Sequence, residues 1–248
     1  MTGLFVASAF DSELFGLRWG RLRATAADVE RTPAAALRAE ADAYAFADGR
    51  LPASARGALR RLLEAGFWTG DVVVALDRPL GPAPQGEPAE PGVFAVRAAT
   101  AADAEGLRPI AVELARVSRF AREPALGPGA AERLYDRWIA NSLAREAARE
   151  VLVAENEDGR LAALVTLAPA AERMVELVLV GVAPGFRGRG AADLLVGASV
   201  AWAAKTGATG LLVRTALENV PAQRLYQRCG FRTREASWVL HRAREKRT

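Results

Sequence analysis

The sequence predicts an α/β protein built on a mixed sheet, and three observations carry that prediction. Helix-period and strand-period segments alternate along most of its 248 residues. A proline- and glycine-rich stretch divides them into a shorter and a longer series. In the longer series an apolar, strand-like run stops at a proline and re-enters a helical pattern through a loop of small residues, VAPGFRGRGAADLL at 182–195.

Taken in order, the first series reads as a strand near Leu17 to Arg23, a helix from about Pro33 to Ala47, a second helix from Ala53 to Ala65, and a valine-rich strand through Val72 to Leu76. The stretch DRPLGPAPQGEPAEPG, 77–92, holds five prolines and three glycines with almost no apolar side chains, a composition that reads as a linker, placed at 79–92. After it come a strand near Val93 to Arg97, helices near Ala101 to Val117 and Ala130 to Ala148, and strands at Glu150 to Glu155, Leu161 to Ala168 and Val175 to Val182. A helix from Ala191 to Thr206, a strand from Gly210 to Thr215, a helix from Pro221 to Arg228 and a strand from Ser237 to Arg242 complete the series. The division is therefore 1–78, the linker, and 93–248.

The two series share a segment. ALRRLLEAGFWT (58–69) and AQRLYQRCGFRT (222–233) agree at five positions, with Leu62 where the second copy has Tyr226. Each reads as a helix ended by glycine and followed by a strand. Either this is a common junction in an alanine- and arginine-rich chain, or the first series is a shortened copy of the second.

Composition excludes several function classes. About half of the residues are apolar (51%), enough for a core. The longest apolar runs are strand-length, far below the roughly 20 residues of a membrane span. The opening MTGLFVASAFDSELFG lacks the basic region of a signal peptide, so a cytoplasmic location is expected. One cysteine, Cys229, and one histidine, His241, exclude an internal disulfide and supply too few soft ligands for zinc, so no metal is expected. The net charge of +4 comes from arginines mixed with acidic residues along the whole chain, which reads as a solvated surface and not as a nucleic-acid face.

The loop holds two arginines and three glycines in the six residues 185–190. Small side chains let a ligand approach the backbone, and a helix starting there presents unpaired N–H groups and the positive end of its dipole. That describes an anion site, most naturally for a pyrophosphate. No Gly-Lys-Ser or Gly-Lys-Thr is present for a Walker loop, and Asp193 stands where a dinucleotide fingerprint requires glycine.

The spacing Arg187, Gly190, Ala192, with Val182 and Pro184 before it and Asn219, Ala222, Leu225, Tyr226, Gly230 and Phe231 after it, resembles the GNAT superfamily of acyl-CoA-dependent N-acyltransferases over about residues 93–243. The resemblance implies a GNAT fold with a splayed, mixed central sheet flanked by helices. It implies acetyl-CoA as cosubstrate, its pyrophosphate held by the backbone of Arg187, Gly188, Arg189, Gly190, Ala191 and Ala192, and its pantetheine arm by the strand end at Val180, Gly181 and Val182. Tyr226 would protonate the departing thiolate; an unperturbed phenol is an acid at neutral pH, although a core tyrosine has the same helical spacing. Asn219 is either a helix cap or a coenzyme contact. Glu176 stands where some members use a glutamate base, but a surface carboxylate reads equally well. His241 reads as a structural imidazole and Cys229 as a small buried hydrophobe.

For the acceptor amine, FDSELFG (10–16), LRAEADAYAFADGR (37–50), LLEAGFWTGDVVVAL (62–76), SRFAREPAL (118–126) and AERLYDRWIANSL (131–143) resemble bacterial TDP-fucosamine acetyltransferases, which carry a truncated GNAT-like half before a complete one. That resemblance implies acetylation of a dTDP-linked 4-amino-4,6-dideoxy sugar by a homodimer, with Arg119, Phe120 and Arg122 as candidate acceptor contacts. A GNAT enzyme acting on another amine, an antibiotic or a protein, and a non-catalytic coenzyme A binder are the alternatives.

Overall fold

The computed structural model describes residues 3–81 and 93–244, so most of the linker at 79–92 and the last four residues of the chain lie outside the described residues. The first series begins with β1 (Phe5–Ala7), α1 (Ala9–Phe15), β2 (Trp19–Leu22), α2 (Ala26–Arg31), α3 (Ala34–Ala41) and β3 (Phe46–Pro52), and ends with α4 (Arg56–Glu64) and β4 (Trp68–Pro79). The second contains β5 (Phe94–Ala98), α5 (Ala104–Arg116), α6 (Ala130–Leu143), β6 (Glu150–Asn156), β7 (Leu161–Pro169) and β8 (Met174–Val182). It continues through α7 (Ala191–Lys205), β9 (Gly210–Ala216) and α8 (Val220–Arg228) to β10 (Arg232–Ala243).

All ten strands of the described residues join one mixed sheet in the order β1-β2-β3-β10-β4-β9-β8-β7-β6-β5, and among them only β2–β3 and β8–β9 pair in parallel. The two series are interleaved at the centre. β10 runs between β3 and β4, with His241 opposite both Asp48 and Trp68, and β4 runs between β10 and β9, with Val74 opposite Thr215. The two similar segments therefore end in neighbouring antiparallel strands, and each helix-to-strand corner passes through a left-handed glycine, Gly66 (φ 87°) and Gly230 (φ 85°). Leu62 and Tyr226, the matched positions, are both buried.

Helices α2, α3, α4, α7 and α8 cover one face. There Leu37, Leu62 and Leu240 form one cluster, and Leu76, Leu177, Val213, Leu195 and Phe231 form another. Helices α1, α5 and α6 cover the other face, burying Ile110 and Leu164 at one end and Trp19, Phe46, Phe120 and Leu134 at the other. Each such side chain removed from water contributes roughly 1.5–3 kcal/mol. Strand register sends Asp71, Val73, Glu176, Arg214, Val239 and His241 onto this second face, between its two helical patches.

Several predicted boundaries are corrected. The helix expected to Ala47 stops at Ala41, because Phe46 and Ala47 are buried in β3 on opposite faces, and tertiary burial overrides alanine's helix propensity. The helix expected to Ala148 ends at Leu143, just before Arg145 turns left-handed (φ 63°). The strand at Val72 to Leu76 extends to Pro79, since Asp77, Arg78 and Pro79 pair with β9 instead of opening the linker. β1, α1 and α2 were not predicted; α2 starts with a Thr25–Asp28 capping box.

Candidate active site

β8 and β9 pair from Met174–Gly210 to Leu177–Val213 and then part, although β8 runs on to Val182 and β9 to Ala216. The parting begins at a bulge: the β7–β8 register slips between Leu177 and Leu179, leaving Val178 exposed. From there Val180, Gly181 and Val182 stay paired to β7 on one edge, while the edge toward β9 has no ladder partner. This is the splay expected from the sequence. Gly181 has a second reason to be glycine, because a Cβ there would meet Ile110 Cγ2 at 2.4 Å and Leu114 Cδ1 at 3.1 Å, blocking the seat of α5.

β8 leads into the loop. A short 3-10 turn at Pro184–Phe186 is followed by Gly188 (φ 72°) and Gly190 (φ 84°), the latter capping α7. Two left-handed residues so close together turn successive N–H groups to one side. Among the described residues the amides of Gly188, Arg189 and Gly190 find no backbone acceptor, and those of Ala191 and Ala192 belong to the unpaired first turn of a 15-residue helix. The arginine side chains turn elsewhere: Arg187 binds Glu113 of α5 at 2.5 Å, and Arg189 lies over the Phe186 ring. The donors that fit a pyrophosphate are thus the amides, backed by the helix dipole. Asp193 in the same turn is engaged by Arg228 of α8 at 2.6 and 2.8 Å, which holds its carboxyl below the ordinary range.

α8 begins at Asn219, whose side chain accepts from the Ala222 amide at 3.3 Å, the capping role of the two considered. Tyr226 lies on the buried side of α8, 4% exposed, beside Phe231 at 5.8 Å between ring centroids and in one cluster with Ala191, Leu195 and Val213. Burial pushes its phenol well above its usual pKa, so it remains protonated. Cys229 closes the helix half-buried, and burial raises its thiol as well.

The remaining candidates divide. Glu176 is held by Arg214 of β9 at 2.5 Å. His241 is buried and its Nδ1 meets Glu123 Oε2 at 2.7 Å, but Nε2 has no partner, so the structural imidazole is only half satisfied. Arg122 pairs with Glu218, and Arg119 stacks on Phe120 at 4.2 Å. A cavity of about 480 Å³ lies at the C-terminal end of β9, lined by Thr69, Gly70, Asp71, Val72, Arg122, Leu217 and Glu218. Sequence reasoning missed Asp71, whose carboxyl is raised by burial, and Arg50 of β3. The signal that would have found them is the pairing of β10 with both β3 and β4. Among the described residues there is no cluster fit for a metal ion and no helix long and apolar enough to cross a membrane.

Residues 114–231 match the family model described as the acetyltransferase (GNAT) family. No curated protein matches the sequence. Among solved structures, a tandem GNAT protein from the clavulanic acid biosynthesis pathway superposes with a TM-score of 0.64 at 13% identity, over 93% of this chain and 76% of that one. A GCN5-related N-acetyltransferase from Kribbella flavida gives 0.58 at 18% identity, over 90% and 80%. One from Sphaerobacter thermophilus gives 0.58 at 21% over 80% of this chain, which spans only 59% of that protein. The fold is the GNAT fold, with a tandem arrangement among its neighbours.

Proposed function

From the match of residues 114–231 to the GNAT family model, we propose that the protein is a GNAT acetyltransferase that transfers the acetyl group of acetyl-CoA to the primary amine of a nucleotide-linked amino sugar of the dTDP-4-amino-4,6-dideoxyhexose type. The observation that carries the transferase reading is the parting of β8 from β9 directly before a loop in which the amides of Gly188, Arg189 and Gly190 find no backbone acceptor.

In this reading the amides of Gly188 to Ala192 hold the pyrophosphate, while that of Arg187, expected to join them, donates to the Pro184 carbonyl at 3.4 Å, and the open edge at Val180, Gly181 and Val182 holds the pantetheine arm. Bound acetyl-CoA supplies the thioester whose C–S bond breaks as the C–N bond to the amine forms. Tyr226, kept protonated by burial, donates its proton to the sulfur that leaves and recovers one from solvent. Asn219 holds the start of the tyrosine's helix. The amine's surplus proton leaves to water.

The acceptor class rests on resemblance to the TDP-fucosamine acetyltransferases and is supported by a cavity beside the splayed strands, built from both series. The same resemblance supports a homodimer acting in the cytoplasm, and a truncated GNAT-like half (1–78) before the catalytic one (93–248).

Calorimetry with acetyl-CoA and CoA, followed by an acetylation assay over a dTDP-amino sugar, the free amino sugar, an aminoglycoside and a peptide, tests the reading. The expected result is coenzyme binding with turnover that depends on the dTDP group. Equal turnover of an amine without a nucleotide replaces the acceptor, binding without turnover marks a coenzyme A binder, and absence of binding overturns the reading.

A further inference from the structure

The cavity at the C-terminal end of β9 is lined by one ion pair and one solitary acid. Arg122 and Glu218 bind each other at its rim, both exposed. Asp71 is half-buried in the same wall, and among the described residues no cationic side chain comes within ion-pair distance of it. Its Oδ1 accepts from the Val72 amide at 2.7 Å, and its Oδ2 has no hydrogen-bond partner among those residues. Thr69, Gly70, Val72 and Leu217 complete the lining without charge. Because the rim pair neutralises itself, the wall is negative through Asp71 alone.

The fold fixes where Asp71 stands. Val239 of β10 pairs with Asp71 and Leu240 with Thr69, so the ladder skips Gly70 and bulges there, a device that re-aims the side chain beside it. The bulge requires glycine, because a Cβ at position 70 would meet His241 Nδ1 at 2.5 Å. His241 is in turn tied to Glu123 at 2.7 Å, both buried, so the backbone that carries Asp71 rests on a fixed support.

Asp71 and Tyr226 lie on opposite faces of the sheet. Strand register puts Asp71 on the face of α5 and α6, and Tyr226 packs in the cluster under α7 on the other. Both belong to one end of β9: Leu217 and Glu218, directly after that strand, line the cavity, and the helix of Tyr226 starts at Val220. The gap where β8 leaves β9 opens toward the same end. An amine attacking a carbonyl held in that gap enters from one face while the thiolate departs toward the other. Such a reaction needs a proton acceptor on the entry face and a proton donor on the exit face.

We propose that Asp71 anchors the ammonium group of the acceptor in this cavity and takes its first proton. The reaction step rests on the acetyltransferase reading; the cation site rests on the cavity alone. An ammonium N–H bond breaks, its proton goes to Asp71 Oδ2, and the freed lone pair forms the C–N bond as the C–S bond breaks. Asp71 then releases that proton to solvent through the cavity mouth. The second proton lost by nitrogen goes to water and balances the one that Tyr226 gives to sulfur and recovers. Burial raises the Asp71 carboxyl against the Val72 amide and the charges of Arg119 and Arg122, with Glu218 adding to the rise, which makes it a stronger proton acceptor than an exposed aspartate. The first series thereby contributes a side chain to the chemistry of the second.

The test compares wild type with Asp71→Asn and Asp71→Glu. Asparagine keeps the shape and the bond from the Val72 amide and removes a charge that burial disfavours, so Asp71→Asn should melt no lower than wild type at pH 7. Kinetics use whichever amine is acetylated fastest among a dTDP-amino sugar, the free amino sugar, an aminoglycoside and a peptide. Asp71→Asn should lower kcat/KM by about a hundredfold or more at pH 7 and leave acetyl-CoA affinity within about twofold. The deficit should narrow by pH 9.5, where more of the amine arrives neutral, and Asp71→Glu should retain more activity than Asp71→Asn. A merely structural aspartate gives a lower melting temperature and a deficit that does not change with pH; that result, or activity close to wild type, overturns the proposal and leaves the acetyltransferase reading standing. Binding is read without turnover from the carboxyl carbon resonance of Asp71, assigned by its loss in Asp71→Asn, during titration with n-propylammonium and with n-propanol as neutral control. A shift with the ammonium alone supports the cation site, and no shift, or an equal shift with the alcohol, overturns it. If no amine is acetylated, the acetyltransferase reading falls and this titration by itself decides the cation site.

Discussion

Asp193, in the first turn of α7, and Arg228, in the last turn of α8, form a two-pronged ion pair at 2.6 and 2.8 Å. It joins the helix that presents the free amides to the helix that carries Tyr226. The side chains are 39% and 55% exposed, so the pair adds little stability, below about 1 kcal/mol. Its larger effect is electrostatic, because it neutralises a carboxylate beside the proposed pyrophosphate site. Arg228→Gln is expected to melt close to wild type but bind acetyl-CoA several-fold more weakly. The deficit should shrink as salt rises from 0.05 to 0.5 M, which calorimetry at the two concentrations reads.

Gly190 carries the left-handed turn at the mouth of α7. A β-branched residue in that conformation costs roughly 1–2 kcal/mol. Gly190→Val should therefore raise the dissociation constant for acetyl-CoA by about tenfold. A variant that binds as wild type does would remove the loop from the coenzyme site.

Tyr226→Phe keeps the ring that packs on Phe231 and deletes the proposed acid. Loss of a positioned proton donor lowers kcat by about a hundredfold or more. Acetyl-CoA affinity and the melting temperature should hold. Steady-state kinetics with an active acceptor checks the split, and unchanged kcat assigns the tyrosine to the core alone.

Gly181→Ala drives a methyl group into Ile110 and Leu114 of α5. Overpacking of this kind costs about 1–3 kcal/mol. Ile110→Ala, itself destabilising, opens the space, so denaturant titrations should find the double variant more stable than the sum of the two losses implies. Independent, additive losses would show that Gly181 is not there to admit α5.

Arg97 holds the Asp103 carboxyl down at about 2, against an ordinary value of 3.8. The unfolded chain therefore takes up the proton first as pH falls. The stabilisation is complete above the ordinary carboxylate range and drains away between about pH 4 and pH 2. Asp103→Asn should lie below wild type in melting temperature at pH 6 and converge on it near pH 2. Parallel curves would refute the linkage.

What the sequence disclosed depended on the range of the interaction. The strand at Val175 to Val182, the loop and the helices at 191 and 221 are local patterns, in which period, glycine and cap residues act within a few positions, and they stand close to where they were expected. The strand Phe46–Pro52 was missed, since the alanine-rich stretch leading into it favours a helix and its buried faces are set by β2 and β10, the latter nearly 200 residues away. For the same reason Arg50 and Asp71 carried no local signal. Asp71 shares the cavity wall with Arg122 only because β10 brings β4 to the middle of the sheet.

That insertion imposes an order on assembly. β3 and β4 leave the ribosome while the segment that must lie between them has yet to be translated, and, running parallel to each other, they cannot pair directly without shutting out β10. The nascent amino-terminal portion must wait, its strand edges unsatisfied, until the far end of the chain arrives, and such long-range closure slows folding. Mutations that fuse β3 to β4 prematurely would thus harm yield more than they harm the folded protein.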